Sequence, residues 1–207
     1  MAFTFAHPAV VLPLIKILGR RGVLSALVIG SMSPDLAYLV PVHVARNESH
    51  SILGLFLFCV PLGLVTYIVF HKLLKGPFLS LMPEFLLGRL GGIVSDFKML
   101  PSTDWLAILG CLFLGAVTHL IWDSFTHGDA LGVMMIPMLK AAAFHVGARP
   151  YPMYKLLQHI SAILGLTVMA CYAFIWFQGA GENRVSLPFK LSKANKKLTL
   201  GAIVFVP

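Results

Sequence analysis

The chain has 207 residues, of which 58% are hydrophobic and 12% are charged, and its mean hydropathy is +0.87. Because a soluble domain typically carries about 25% charged residues, too few polar side chains are present to coat a water-facing surface. This composition excludes disorder, collagen, a coiled coil and a disulfide scaffold, and it predicts a membrane protein.

The 16 Lys and Arg residues exceed the 8 Asp and Glu residues and give a net charge of +8. The bases flank apolar runs and are not interleaved with aromatic residues, so we interpret them as membrane flanks that contact lipid headgroups and predict no nucleic-acid partner. The three cysteines lie inside apolar runs, and we expect small buried apolar residues there: Cys59, Cys111 and Cys171. No basic segment precedes the first apolar stretch, so no cleavable signal peptide is predicted.

The first fifty residues are apolar but interrupted. Lys16 and the pair Arg20-Arg21 break the stretch that begins at His7. Two adjacent arginines in the middle of a bilayer are costly. We therefore predict two short helices that are re-entrant or interfacial.

Three uncharged runs of 18 or 19 residues approach the roughly 20 residues that cross a bilayer: Ile52 to Phe70, Trp105 to Trp122 and Ile160 to Phe177. His71 and Lys72 are expected to mark the end of the first span. Pro77 to Leu100 mixes apolar and charged residues and is predicted as an interfacial amphipathic helix and loop. Asp129 to Tyr154 is predicted as a partly buried loop with a short helix.

The apolar run after Lys196-Lys197 is too short to cross a bilayer, so we expect a partial C-terminal span or a chain truncated there. The predicted fold is therefore an all-α, polytopic membrane bundle with three full spans. It forms a single membrane-embedded helical domain over residues 1–207.

Alternating the direction of the three spans brings the chain's imidazoles and carboxylates to one side of the membrane. The residues concerned are His7, Asp35, His50, His119, Asp123, His127 and His159. Ionisable groups at membrane depth are expensive and are functional by default. These residues are therefore candidates for a metal site.

The sharpest motif is THLIWDSFTH, residues 118–127. Positions four apart lie on one face of a helix, so His119, Asp123 and His127 are predicted to face the same way. A carboxylate between two imidazoles fits a metal site in which Asp123 bridges two ions. The alternative is a set of polar residues that form hydrogen bonds at a helix end.

His and Asp ligands without a thiolate favour zinc, with manganese or iron as alternatives, and we expect one or two divalent ions. Three other histidines are interpreted as ordinary residues. His43 has no acidic neighbour at helical spacing, His71 falls on the opposite face, and His145 lies in the predicted loop. Hydroxyl groups beside the candidate ligands are expected to support them or to cap helices, at Ser31, Ser33, Ser124 and Thr126.

Five segments resemble a bacterial membrane family of unknown function, domain-of-unknown-function family 4184. The segments are FTFAHPAVVLPL (3–14), LSALVIGSMSPDL (24–36), HSILGLFLFCVPLGL (50–64), THLIWDSFTH (118–127) and YKLLQHISAILGL (154–166). They are spread over most of the chain. The resemblance implies no activity.

More distantly, the order of His and Asp residues resembles the helical zinc-dependent phospholipase C and single-strand nuclease group, and inner-membrane metal-dependent hydrolases. That resemblance implies a first zinc held by Asp35, His50, His119 and Asp123, and a second held by Asp123 and His7. A third would have only His127 and His159, because the family's Glu and N-terminal Trp ligands are missing. It therefore implies one or two metals.

With the spans threaded in this way, nine bases fall on the face opposite the site and seven on the site's face. The excess of Lys and Arg favours the opposite face as cytoplasmic, so the site is expected on the extracytoplasmic face of the bacterial inner membrane.

We expect a metal-dependent hydrolase with Asp35, His50, His119 and Asp123 at its catalytic core. A lipid-derived phosphodiester is the substrate class by analogy. A divalent-metal transporter would need further polar residues within the spans. The first and third spans offer little beyond Thr66, Ser161 and Thr167. The other alternative is a non-catalytic membrane scaffold; substrate and oligomeric state stay open.

Overall fold

The computed structural model describes residues 4–38, 45–95 and 105–179. Within these ranges the chain is largely helical, and three helical stretches are long and apolar enough to cross a membrane: Ile52–Leu81, Trp105–Met135 and Met153–Gly179. In the described residues the prediction of a mainly helical chain with three helices long and apolar enough to span a membrane is therefore confirmed. The predicted C-terminal partial span and His43 lie outside them.

Two short helices open the described chain, as the interrupted apolar pattern predicts. Helix α1 is Pro8–Leu18 and helix α2 is Leu24–Met32. They are separated by a 3-10 turn, Gly19–Arg21, which contains the basic pair. A second 3-10 segment, Ser33–Tyr38, follows α2 and carries Asp35.

The first spanning helix, α3, is Ile52–Leu81. It contains two π-helical stretches, Leu55–Cys59 and Phe70–Leu74. His71 and Lys72 follow the predicted span, and the helix continues beyond them to Leu81. The Nε2 atom of His71 lies 3.0 Å from the Ser25 hydroxyl of α2.

The region predicted from Pro77 to Leu100 lies within the described residues up to Ser95, and that part divides between two helices. Its first residues complete α3, and helix α4, Glu84–Ser95, follows. The Arg89 guanidinium lies 4.2 Å from the centre of the Phe177 ring, and this cation–π contact joins α4 to the last long apolar helix.

The second span consists of α5, Trp105–Thr126, and the short helix α6, Leu131–Met135. An antiparallel hairpin comes next, with β1 at Ala142–Val146 and β2 at Arg149–Pro152. The short helix predicted between Asp129 and Tyr154 is found as α6, whereas the hairpin replaces the expected loop and corrects the all-α prediction. The last span is α7, Met153–Gly179, which begins before the predicted Ile160.

Helices α2 and α5 cross at the centre of the bundle. A Cβ atom on Gly115 would lie 2.6 Å from the backbone nitrogen of Ser31, and one on Gly30 would lie 2.8 Å from the Cα atom of Leu112. Both glycines therefore permit a backbone-to-backbone approach that no side chain allows. Leu27 and Leu112 are fully buried beside this crossing.

The cysteines only partly follow the prediction. Cys59 and Cys111 are buried, but Cys171 is exposed on α7. An apolar run that spans a membrane has a face turned away from the bundle, so its presence does not predict burial inside the protein.

Candidate metal centre

Helix α5 supplies three of the candidate ligands from one face, as their spacing predicts. His119 Nε2 lies 3.5 Å from Asp123 Oδ2, and His127 Nδ1 lies 3.4 Å from the same oxygen. His119 is fully buried and Asp123 is buried. Asp123 is therefore the shared centre of the motif.

Three segments far away in sequence bring further ligands to Asp123. His50, just before α3, has its Nε2 atom 3.4 Å from Asp123 Oδ2 and 3.5 Å from Asp35 Oδ1. His7, just before α1, has its Nε2 atom 3.7 Å from Asp123 Oδ1. Its ring stacks on that of His119 with centroids 3.9 Å apart. Six of the seven candidate residues thus meet at one place.

Backbone carbonyls fix the two central imidazoles. The Nδ1 atom of His119 lies 2.7 Å from the carbonyl oxygen of Ser31, and that of His50 lies 3.2 Å from the carbonyl oxygen of Arg46. A carbonyl only accepts, so each Nδ1 carries the hydrogen and, in the neutral ring, each Nε2 presents its lone pair.

Both Nε2 atoms turn these lone pairs towards carboxylate oxygens. Within the described part of the chain, His50 Nε2, His119 Nε2 and Asp123 Oδ1 are buried without a hydrogen-bond partner. Lone pairs facing negative oxygens repel one another unless a proton or a metal cation lies between them. The arrangement therefore fits a bound metal ion.

The donor spacing agrees with a tetrahedral ion. Zinc bonds of about 2.0–2.1 Å in tetrahedral geometry separate neighbouring ligand atoms by about 3.3 Å. The contacts of His50 with Asp123 and Asp35, and of His119 with Asp123, are 3.4–3.5 Å, and His119 Nε2 lies 3.7 Å from Asp35 Oδ1. Asp35, His50 and His119 form one group whose ligand atoms all lie within 4.8 Å of one another, and His7, His119 and Asp123 form a second such group.

Charge also favours a divalent cation. Asp35 and Asp123 are both largely removed from solvent, and among the described residues Arg46 is the permanently charged cation that contacts Asp123. Its Nη2 atom lies 3.2 Å from Asp123 Oδ2, while its Nη1 atom lies 3.3 Å from the exposed Asp129. Three carboxylates against one guanidinium leave two negative charges in this cluster.

The metal-free ligands outside the spans already have altered proton affinities. Burial disfavours the charged form of His50, but the nearby carboxylates of Asp123 and Asp35 outweigh it and raise its pKa. Burial and the neighbouring His119 lower the pKa of His7 to about 4. Burial opposes ionisation of Asp35, yet His50, His119 and the Thr4 hydroxyl hold the pKa of that carboxyl below its usual value.

His159 does not join the cluster. It is exposed, and its ring centroid lies 6.3 Å from that of Tyr151. Gln158 faces the bundle instead, with its Nε2 atom 3.4 Å from His127 Nε2. Consecutive residues differ by about 100° around a helix, so burial of Gln158 turns His159 away.

The hydroxyl groups beside the ligands have mostly local roles. Those of Ser31, Ser33 and Ser124 donate to carbonyls three residues earlier, and the Thr126 hydroxyl lies 3.3 Å from His127 Nδ1. Ser31 supports His119 through its backbone carbonyl and not through its side chain.

Sequence reasoning misses two polar residues of the site. Thr4 donates its hydroxyl hydrogen to Asp35 Oδ2 at 2.5 Å. Arg46, counted above only as a membrane-flanking base, contacts Asp123 directly. Its position four residues before His50 is the signal that was available, because such a spacing places two side chains on one side of a helical turn.

A family model described as "Domain of unknown function (DUF4184)" matches residues 1–206. No curated protein and no solved structure matches the chain. The family match thus covers all the residues of the cluster but brings no activity with it.

Proposed function

The chain belongs to the DUF4184 family, and from this premise we propose that it is a membrane-embedded, metal-dependent hydrolase. The observation that carries the proposal is the convergence of the His50 and His119 Nε2 atoms on the Asp35 and Asp123 carboxylates. The distant likeness to zinc-dependent phospholipases and nucleases, in the order of ligands along the chain, agrees with it.

In this proposal Asp35, His50, His119 and Asp123 hold a divalent ion, with zinc as the first choice. Such an ion supplies Lewis acidity and lowers the pKa of a water molecule to about 7. The backbone carbonyls of Ser31 and Arg46 keep the two imidazoles in the tautomer that binds metal. The ligands themselves are therefore held in place before the metal arrives.

His7 and His127 are candidates for holding a second ion with Asp123. His7 approaches Oδ1 of this carboxylate, whereas His127, like His50 and His119, approaches Oδ2. A pKa of about 4 keeps His7 neutral, and hence able to donate its lone pair, at physiological pH. Asp123 is thus the bridging residue of a one- or two-ion site.

Arg46 points to an anionic substrate. Its guanidinium side chain is 28% exposed and borders the nearly buried Asp123. A planar guanidinium recognises phosphate oxygens by paired hydrogen bonds. We therefore place a phosphodiester, derived from a lipid, at this edge of the site.

The site is assigned to the extracytoplasmic face of the bacterial inner membrane, on the distribution of Lys and Arg along the whole chain. Lys140, exposed beside the hairpin, offers a reporter. A Lys140→Cys variant in intact cells should react with a membrane-impermeant maleimide. Labelling that requires broken cells would reverse the assignment.

The hydrolase is tested with purified protein and bis(p-nitrophenyl) phosphate, a chromogenic phosphodiester. Hydrolysis should stop when a chelator removes the metal and return when zinc is added. It should be lost in His119→Ala and retained in His145→Ala, which changes an exposed hairpin histidine. Uptake of zinc into proteoliposomes without any hydrolysis would favour a transporter and contradict the proposal.

A further inference from the structure

A groove lies beside the metal cluster, between α7 and the start of the chain. It encloses about 220 Å³ and is lined by residues of α1, α5 and α7 and by Ala6 and His7. Gly165 and Ala6 both line the groove. A Cβ atom on Gly165 would lie 2.8 Å from the carbonyl oxygen of Ala6, so glycine at this position permits the backbone at Ala6 to pack closely against α7.

The outer wall of the groove is apolar and exposed. Leu164 is 59% exposed and Val168 is 50% exposed, and both belong to the spanning helix α7. Exposed apolar side chains on a membrane-spanning helix face hydrocarbon, so this groove opens sideways towards lipid. An unfilled apolar groove in that position forfeits dispersion contacts that a hydrocarbon chain would supply.

The inner end of the groove is polar and continues into the metal cluster. His7 lines the groove and also contacts Asp123, while Gln158 lines it and contacts His127. The Nδ1 atom of buried His7 has no hydrogen-bond partner among the described residues. His7 and Gln158 thus belong both to the groove and to the surroundings of the candidate metal cluster.

We infer that the groove binds the hydrocarbon chain of an anionic lipid, whose headgroup then lies at the metal cluster. The apolar wall matches the hydrocarbon chain, and Arg46, which contacts the same Asp123 as the groove residue His7, supplies a positive charge for the headgroup. The position of the headgroup rests on the proposed function, whereas the binding of the hydrocarbon chain rests on the groove alone.

Helix α7 offers a matched pair of variants. Ala162 lines the groove and is half-buried, whereas Ala170 is exposed on the same helix and does not line it. Replacing Ala162 by Phe fills the groove, and Ala170→Phe makes the same change outside it. Val168→Phe, at the exposed wall, provides a second blocking variant that does not disturb the packed interior.

Trp122 lines the groove and reports on its occupancy. In protein that retains Trp122 but carries Trp105→Phe and Trp176→Phe, lysophosphatidic acid with a dibrominated acyl chain should quench the fluorescence saturably. Overfilling the groove should raise the apparent Kd about ten-fold or more in Ala162→Phe and Val168→Phe and leave it unchanged in Ala170→Phe. Glycerol phosphate, which lacks the chain, should not compete at similar concentrations.

Non-saturable quenching, or equal Kd values in all variants, would overturn the inference. That result is expected if residues 198–207 or a second copy of the chain occupies the groove. Zinc content, measured on the same samples, separates this failure from failure of the hydrolase proposal. If metal-loaded protein shows no saturable quenching, only the lipid-binding inference is contradicted. If wild-type protein without metal shows saturable quenching, only the hydrolase proposal is contradicted.

Discussion

The Nδ1 atom of His119 donates a hydrogen bond to the backbone carbonyl of Ser31 over 2.7 Å, inside the crossing of α2 and α5. This bond joins the packing of the bundle to the chemistry of the cluster. It requires α2 to lie against α5, and it leaves His119 Nε2 free to bind a metal.

Enlarging a glycine at this crossing should therefore affect both stability and metal binding. In Gly115→Ala the new methyl group meets the backbone of Ser31, and the strain should cost about 1–3 kcal/mol of unfolding free energy. Zinc affinity should fall with it, because the carbonyl that orients His119 moves. The measurements are thermal unfolding in detergent and competition for zinc with a chromogenic chelator.

Gly110→Ala is the matched control, since a Cβ atom at Gly110 meets nothing within 4 Å. Alanine is favoured over glycine in a helix by about 1 kcal/mol, so this variant should be as stable as wild type or more so. Equal zinc affinity in the Gly115 and Gly110 variants would show that the crossing does not position the ligand.

Arg46 should influence the substrate more than the metal. In Arg46→Gln a positive charge next to Asp123 is lost, so zinc affinity should be maintained or increased, while KM for an anionic phosphodiester should rise by about ten-fold. Steady-state kinetics and zinc analysis give the two readouts. Lys140→Gln removes an exposed base away from the cluster and should change neither. Loss of zinc from Arg46→Gln would instead assign Arg46 to the structure of the site.

Metal affinity should fall at low pH. The neighbouring carboxylates raise the pKa of His50 above its ordinary value of 6.5, and a metal binds only the unprotonated ring. Zinc must therefore displace a proton from His50 over a window around and above that ordinary value. His7, whose pKa is about 4, should contribute no proton there. Calorimetric titration in buffers of different ionisation enthalpy measures the protons released, and affinity independent of pH across this window would contradict the assignment of His50.

The sequence predicts the bundle and most of the site because both depend on local signals. The apolar runs that begin at Ile52 and Trp105 begin helices at those residues, and the HxxxD and DxxxH spacings place His119, Asp123 and His127 together. His7, Asp35 and His50 follow from the rule that ionisable groups in a membrane protein gather on one side.

What the sequence does not predict depends on which way a helix faces and on local turns. Gln158, and not its neighbour His159, contacts the cluster, and this rotation is set by how α7 packs. The sequence of the hairpin contains a turn signal, a glycine between two short segments with aromatic residues, which the search for membrane-spanning runs did not consider. Gly147, at φ 61°, occupies the first position of the two-residue turn and fits a type II′ turn, and Phe144 stacks on Tyr151 across the strands.

The central claim is that the His and Asp cluster binds a metal. The most direct measurement is elemental analysis of the protein purified without chelators, beside His119→Ala and the control His145→Ala. The account predicts one or two zinc ions per chain in the wild type and in His145→Ala, and a loss of metal in His119→Ala. Wild-type protein that carries no stoichiometric metal and takes up none from added zinc would contradict it.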